Sequence, residues 1–114
     1  TRLAMAAVQV GGGLLASRCR DTVKTGDGAG KILRTLDRDE IWLAQTPQAI
    51  RMDHVSRAIE CCRDPAIEAT DEAAVLERLG IPVSPVESSW INFKITSSED
   101  LAVAESILAG RSWM

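Results

Sequence analysis

Six cations (Arg18, Arg20, Lys24, Lys31, Arg34 and Arg38) lie between Arg18 and Arg38 with only three aspartates among them, in a chain of net charge −3. The stretch is therefore a basic island on an acidic body. It also carries the hydroxyls of Thr22, Thr25 and Thr35. Guanidinium forks and ammonium point charges beside hydroxyl donors suit an anion, above all a phosphate. Lys94, in Asn92-Phe93-Lys94, offers the same chemistry far away in sequence. In Gln45-Thr46-Pro47-Gln48 the proline fixes its own φ and pushes Thr46 toward extended geometry. The Thr46 hydroxyl then either donates to a ligand oxygen or caps the helix that follows. Thr70, ahead of Asp71-Glu72, reads equally as a helix cap or as a pocket residue.

Other residue types exclude chemistry. The single histidine, His54, has no serine, cysteine or acidic pattern that would form a triad, and it is expected to be a solvated surface residue. Cys19, Cys61 and Cys62 give neither a disulfide framework nor a zinc spacing. Cys61-Cys62 reads as helix filler, in keeping with a reduced cytosolic setting. Gly11-Gly12-Gly13 is not followed by Lys-Ser/Thr, so the phosphate-loop pattern fails.

Elements must bring these groups together. Two strand-like runs, up to Lys24 and from Lys31, flank the Gly26–Gly30 turn and predict a hairpin. Alternation would place Arg18, Arg20, Thr22 and Lys24 on one face of the first run, and Arg34, Leu36 and Arg38 on one face of the second. A solvated hairpin that keeps a sheet edge soluble has the same pattern. Residues 1–10 read as the last turns of a buried helix stopped by the glycines, and Gly13–Ser17 as a buried strand. Trp42 is expected to anchor the base of the arm by packing, with base stacking as the alternative. A helix over Asp53–Arg63 shows a Met52, Val55, Ile59, Cys62 stripe with Asp53 as its cap. A second helix runs from Thr70 to Gly80. Ile81–Val86 reads as an edge strand broken by two prolines, and Ile91–Ile95 as a strand with Lys94 turned away from the core. Thr96-Ser97-Ser98 caps a last helix with Leu101, Ala104, Ile107 and Leu108 as its buried stripe, and Arg111–Met114 is expected to fray.

At 114 residues and 46% apolar, the chain is one domain or less. Its slight acidity argues against general nucleic-acid binding, and no apolar run is long enough to span a membrane. No secretory signal is visible. The chain opens without Met inside a helical pattern, as a fragment that begins mid-domain does.

One ordered set of segments carries a resemblance. Arg20-Asp21-Thr22-Val23-Lys24, Leu36-Asp37-Arg38, Trp42, Thr46-Pro47-Gln48, Ala69-Thr70-Asp71-Glu72-Ala73, Asn92-Phe93-Lys94-Ile95-Thr96 and Glu99-Asp100-Leu101-Ala102-Val103-Ala104-Glu105 follow one another at matching spacing. Over roughly residues 11–109 the chain resembles the C-terminal half of the 2-C-methyl-D-erythritol 4-phosphate cytidylyltransferases. The resemblance implies an α/β fold: part of a three-layer Rossmann-like nucleotidyltransferase domain with a mostly parallel sheet and a protruding β-hairpin arm. Residues 1–114 would be the C-terminal portion of that domain, and residues 17–38 its dimerisation arm.

The implied reaction transfers CMP from CTP to 2-C-methyl-D-erythritol 4-phosphate with release of pyrophosphate, a step toward isoprenoid precursors in the non-mevalonate pathway. Arg38 and Lys94 would position the substrate phosphate, and Thr22, Thr46 and Thr70 would bind the substrate. Thr22 and Arg38 would reach across a homodimer from the partner's arm. Mg2+ and the CTP loop would belong to a nucleotide-binding half absent here, so the resemblance assigns no metal ligand or CTP contact to this chain and implies that it is inactive alone. Nucleic-acid and membrane partners are not expected, and the cytoplasm is. Ribitol-5-phosphate-type cytidylyltransferases share the arm residues, and a non-catalytic α/β dimerisation module is the alternative from another class. The chain departs from the pattern at Ile91, where relatives often carry an acidic or polar residue.

Overall fold

The computed structural model describes residues 1–111. In chain order the elements are α1 (Arg2–Val10), β1 (Gly12–Arg18), β2 (Lys24–Gly26), β3 (Ile32–Thr35), a 3-10 turn (Arg38–Glu40), β4 (Trp42–Ile50), α2 (Met52–Cys62), α3 (Glu72–Arg78), β5 (Val83–Glu87) and α4 (Ser98–Ala109). β1 is the central strand of a three-stranded sheet ordered β4-β1-β5. It pairs antiparallel with β4, from Gly12 opposite Ile50 to Arg18 opposite Trp42. It pairs parallel with β5, from Gly12 opposite Val83 to Ala16 opposite Glu87. The described sheet is therefore mixed, not mostly parallel. The reason is local: β4 returns directly from the arm and needs no crossover, whereas β5 arrives after two helices.

Adjacent glycines at the start of β1 explain the layering. Successive strand residues face opposite sides. A Cβ on Gly12 would collide with Leu76 of α3, and a Cβ on Gly13 would sit 3.1 Å from Leu3 Cδ1 and 3.3 Å from the Leu3 carbonyl of α1. One glycine admits α3 closely on one face, and the next admits α1 on the other. Gly11 closes α1, its N–H donating to the Ala7 carbonyl at 2.8 Å with φ +121°, a region that favours glycine. The core consists of Ala58, Val75, Leu76 and Ile81, with Ile50, Cys61, Leu79 and Val83 packed around it. Cys61 thus is core filler, while its neighbour Cys62 is exposed.

Several sequence-level expectations need correction. α1 is not buried all round: it packs on one sheet face, Ala7 is its buried residue, and Met5 and Val8 are exposed. α2 turns Ala58 inward, leaving Met52, Ile59 and Cys62 exposed, so the stripe predicted through those residues is displaced. Asp53 lies inside its first turn, paired with Arg51 at 2.7 Å, rather than capping it. The arm is a real antiparallel hairpin, but only Lys24–Gly26 and Ile32–Thr35 form its ladder. Arg18 belongs to the main sheet and Arg20–Val23 is not strand, so the single cationic face through Arg18, Arg20, Thr22 and Lys24 does not exist. Arg38 likewise leaves β3's face, because the Asp37 carboxylate accepts the Asp39 N–H at 3.0 Å and starts the 3-10 turn. Residues 91–95 are not a strand: Ser89 draws the Ile91 and Asn92 N–H groups into a turn.

α4 also departs from expectation, since none of its residues is buried and Leu101 and Leu108 are about half exposed. Its start matches the sequence pattern closely. Ser97 Oγ accepts the Asp100 N–H at 3.1 Å and the Asp100 carboxylate accepts the Ser97 N–H, a reciprocal capping box. Hydrogen bonds from the Thr96 backbone first, then from the Thr96 and Ser97 side chains, hold the Asp100 carboxyl below its ordinary 3.8. A lowered carboxyl stabilises the fold above its ordinary range, and that contribution disappears as pH falls through the lowered value. Circular dichroism followed from pH 6 to pH 2 is expected to lose helix signal more steeply in the natural chain than in Asp100→Asn. Ser97→Ala should lower stability by about 1 kcal/mol at neutral pH.

Candidate functional site

A β-bulge builds the site. Gln48 pairs with Leu14 and Ala44 with Ala16, so three residues of β4 oppose one of β1. Gln45, Thr46 and Pro47 therefore swell out of the ladder, with the Thr46–Pro47 bond cis. Proline is tolerated in a strand at such a bulge, and bulges re-aim side chains beside functional clefts. Thr46 thus lies within a nine-residue strand rather than in a turn ahead of a helix, and it caps nothing: α2 begins at Met52. It faces a cleft of about 450 Å³ between the β4 bulge, the start of α3 and the 88–96 loop.

Polar clips fix the three walls. Gln48 Nε2 donates to Asp71 Oδ2 at 2.9 Å, while Gln48 Oε1 accepts the Ala73 N–H at 2.9 Å. Asp71 Oδ1 accepts the Ala74 N–H at 2.8 Å. Asp71, not Thr70, is the N-cap of α3, and this leaves the Thr70 side chain at the cleft. On the other wall, Asn92 Nδ2 donates to the Thr46 carbonyl at 2.8 Å, and Gln45 Nε2 donates to the Ser89 carbonyl at 2.9 Å. The loop lacks regular structure, so these two side chains set where it runs and hence where Lys94 stands. Trp90 stacks on Phe93 at the rim, with ring centroids 6.4 Å apart, and the Arg20 guanidinium lies 4.9 Å above Trp90.

Of the five residues assigned by resemblance, Thr46, Thr70 and Lys94 line this one cleft. Thr22 and Arg38 do not. Both are exposed near the root of the arm, where Arg38 Nη1 donates to the Arg20 carbonyl at 3.2 Å. Lys94 is exposed and forms no hydrogen bond or ion pair among the described residues, so its ammonium is free for a ligand. Trp42 is half-buried at the arm's base, under the Arg18 guanidinium at 3.8 Å. His54 is 17% exposed rather than solvated, and it accepts from Arg51 Nη2 at 3.2 Å, away from the cleft. No group of three or more His, Cys, Asp or Glu among the described residues is placed to hold a metal ion. Sequence reasoning missed Gln48 and Ser17, although a polar residue ending an apolar strand was the available signal for Ser17.

Comparison with known proteins places this geometry. The family model for 2-C-methyl-D-erythritol 4-phosphate cytidylyltransferase (IspD) matches residues 1–110. The chain belongs to this family. Among curated IspD proteins, the 2-C-methyl-D-erythritol 4-phosphate cytidylyltransferase of Pelotomaculum thermopropionicum is 45% identical over 106 residues, 93% of this chain and 44% of that protein. Among solved structures, the 4-diphosphocytidyl-2C-methyl-D-erythritol synthase of Anaerococcus prevotii superposes with a TM-score of 0.85 at 26% identity, covering 95% of this chain and 48% of that one. The Thermus thermophilus cytidylyltransferase gives 0.80 at 31% identity, covering 95% and 53%. The chain thus spans about half the length of these IspD relatives. Its α/β fold with a parallel strand pair is that of the Rossmann-like nucleotidyltransferases. No helix among the described residues is long and apolar enough to cross a membrane.

Proposed function

We propose that this chain forms the sugar-phosphate end of a cytidylyltransferase site that transfers CMP from CTP to 2-C-methyl-D-erythritol 4-phosphate, in cytosolic isoprenoid precursor synthesis. The observation that carries the reading is the convergence of Thr46, Thr70 and Lys94, far apart in sequence, on one cleft. In the reaction a phosphate oxygen of the sugar-alcohol phosphate attacks the α-phosphorus of CTP. A new P–O bond forms as the α–β bond breaks, and pyrophosphate leaves. The attacking oxygen is already ionised at neutral pH, so no protein base has to remove a proton. The barrier is the meeting of two anions, and positioned positive charge lowers it.

Lys94 is a mobile point charge for the substrate phosphate, and the two threonine hydroxyls orient it. Thr22 and Arg38, which do not reach this chain's own cleft, fit delivery from the arm of a second copy. A two-stranded hairpin alone in water is marginal, and pairing would stabilise it. CTP contacts and any Mg2+ ligands would come from the remaining length of the whole protein. The test is pyrophosphate release by the protein extended to the length of its relatives. Turnover is expected with CTP and 2-C-methyl-D-erythritol 4-phosphate. Equal or faster turnover with ribitol 5-phosphate would reject the substrate, and no release with either would reject the activity.

A further inference from the structure

The floor of the cleft contains a hydroxyl that the protein itself does not use. Ser17 is the next-to-last residue of the central strand and only 6% exposed, and it is the one buried polar residue among the described residues. Its side chain lines the cleft that holds Lys94, Thr46 and Thr70, and it makes no hydrogen bond to any described residue. Among the described residues no wholly enclosed polar side-chain atom lacks a partner, so the Ser17 hydroxyl keeps its opening to the cleft. A hydroxyl in a buried residue that opens only to a cleft finds its hydrogen bonds in water or in a ligand there.

Rotation offers Ser17 little inside the protein. Its cross-strand partner is Leu43 and its strand neighbour Ala16 is fully buried. Of the other groups lining the cleft, Asp71 is held by Gln48 and Ala74, the Thr46 carbonyl by Asn92 and the Gln45 amide by Ser89, and the Ser17 hydroxyl is bonded to none of the rest. The position is also the one expected for a ligand contact, at the carboxyl end of the central strand of an open α/β sheet.

We propose that Ser17 binds a hydroxyl oxygen of the sugar-alcohol phosphate while Lys94 takes the phosphate. This rests on the reading under Proposed function and extends it to the polyol chain. A serine hydroxyl both donates and accepts, as an alcohol does, whereas the dianion is better served by the ammonium. A site with a buried hydrogen-bonding group also rejects an analogue that lacks the matching hydroxyl, because the protein group is then left unpaired.

The test uses Ser17→Ala and the near-isosteric Ser17→Cys, in the protein extended to the length of its relatives. Both are expected to raise KM for 2-C-methyl-D-erythritol 4-phosphate about five- to tenfold, the fold-change of one neutral hydrogen bond. KM for CTP should not move, and Tm should stay level or rise, since a hydroxyl without a protein partner is removed. The natural enzyme should discriminate against a deoxy analogue lacking the contacted hydroxyl, and Ser17→Ala should not. Unchanged KM in both variants, or a fall in Tm with Ser17→Ala, would overturn the role of Ser17 while leaving the cytidylyltransferase reading intact. Absence of turnover by the unsubstituted protein would remove that reading and this one with it.

Discussion

Lys94→Ala in the protein at the length of its relatives is expected to lower kcat/KM for 2-C-methyl-D-erythritol 4-phosphate by roughly ten- to 150-fold, the equivalent of about 1.5–3 kcal/mol for a hydrogen bond to a charged group. Tm should hardly change, because Lys94 is exposed and its ammonium has no partner among the described residues. Lys94→Arg should recover part of the loss: the charge returns, but a planar fork replaces a compact ammonium. Raising ionic strength should weaken the natural enzyme's affinity for the phosphate more than that of Lys94→Ala, since the variant has lost one exposed charge pair. Steady-state kinetics at two salt concentrations measure both effects. A Lys94→Ala enzyme with unchanged kcat/KM would show that the convergence of Lys94 with Thr46 and Thr70 does not mark the phosphate position.

Arg38 is a different case, because its guanidinium holds the Arg20 carbonyl of its own chain. Arg20 in turn stacks on Trp90, at the rim of the same chain's cleft. Loss of activity in Arg38→Ala therefore has two routes, one across a dimer and one through the arm root. Mixing an Arg38→Ala protomer with a Lys94→Ala protomer separates them. If Arg38 acts on a partner's cleft, half of the mixed dimer's sites regain both side chains. If it acts only within its own chain, no site does.

The sequence disclosed those parts of this molecule that depend on local chemistry. The cap within Thr96-Ser97-Ser98 and the hairpin around Gly26–Gly30 follow from side chains that bond to neighbouring backbone, and both are present, the cap at Ser97. Thr46, Thr70 and Lys94 were legible as candidate ligand-binding residues by type and by family likeness. Their meeting point was not, because it depends on a bulge in a strand whose Gln-Thr-Pro-Gln segment reads locally as a turn. Ile91–Ile95 shows why alternation alone misleads. Its period fits a strand, but Ser89 and Asn92 take the backbone and side-chain bonds a ladder would need. The α4 stripe is apolar without being buried, since burial depends on what packs against a helix as well as on its own pattern. Gly11-Gly12-Gly13 carried the most structural content and the least local signal. Its role is set by Leu3 and by Leu76, and Leu76 lies far along the chain, outside any window around the glycines.

That last dependence can be measured as a coupling. Leu76 is 1% exposed and is the largest fully buried side chain described, so Leu76→Ala is expected to cost about 2–5 kcal/mol. Gly12→Ala places a methyl against the tip of that same leucine. In a solvated setting the leucine would swing aside, but Val75, Ala58 and Ile81 enclose it, and the remaining neighbours of the new methyl are Val83 Cγ2 at 3.4 Å and the Ala49 carbonyl at 3.5 Å. Gly12→Ala alone should therefore cost about 1–3 kcal/mol by overpacking. In the double variant the space vacated by Leu76 receives the Gly12 methyl, and the combined loss should fall short of the sum of the single losses by about 0.5–3 kcal/mol. Gly28→Ala provides the control: nothing lies within 4 Å of its Cβ position, and the change should be near neutral. Urea titration of the four variants gives the cycle directly. Strict additivity of Gly12→Ala and Leu76→Ala would mean that α3 does not rest on the first residue of β1. Since α3 carries Asp71 and the clip from Gln48, the wall that presents Thr70 to the cleft would then need another support.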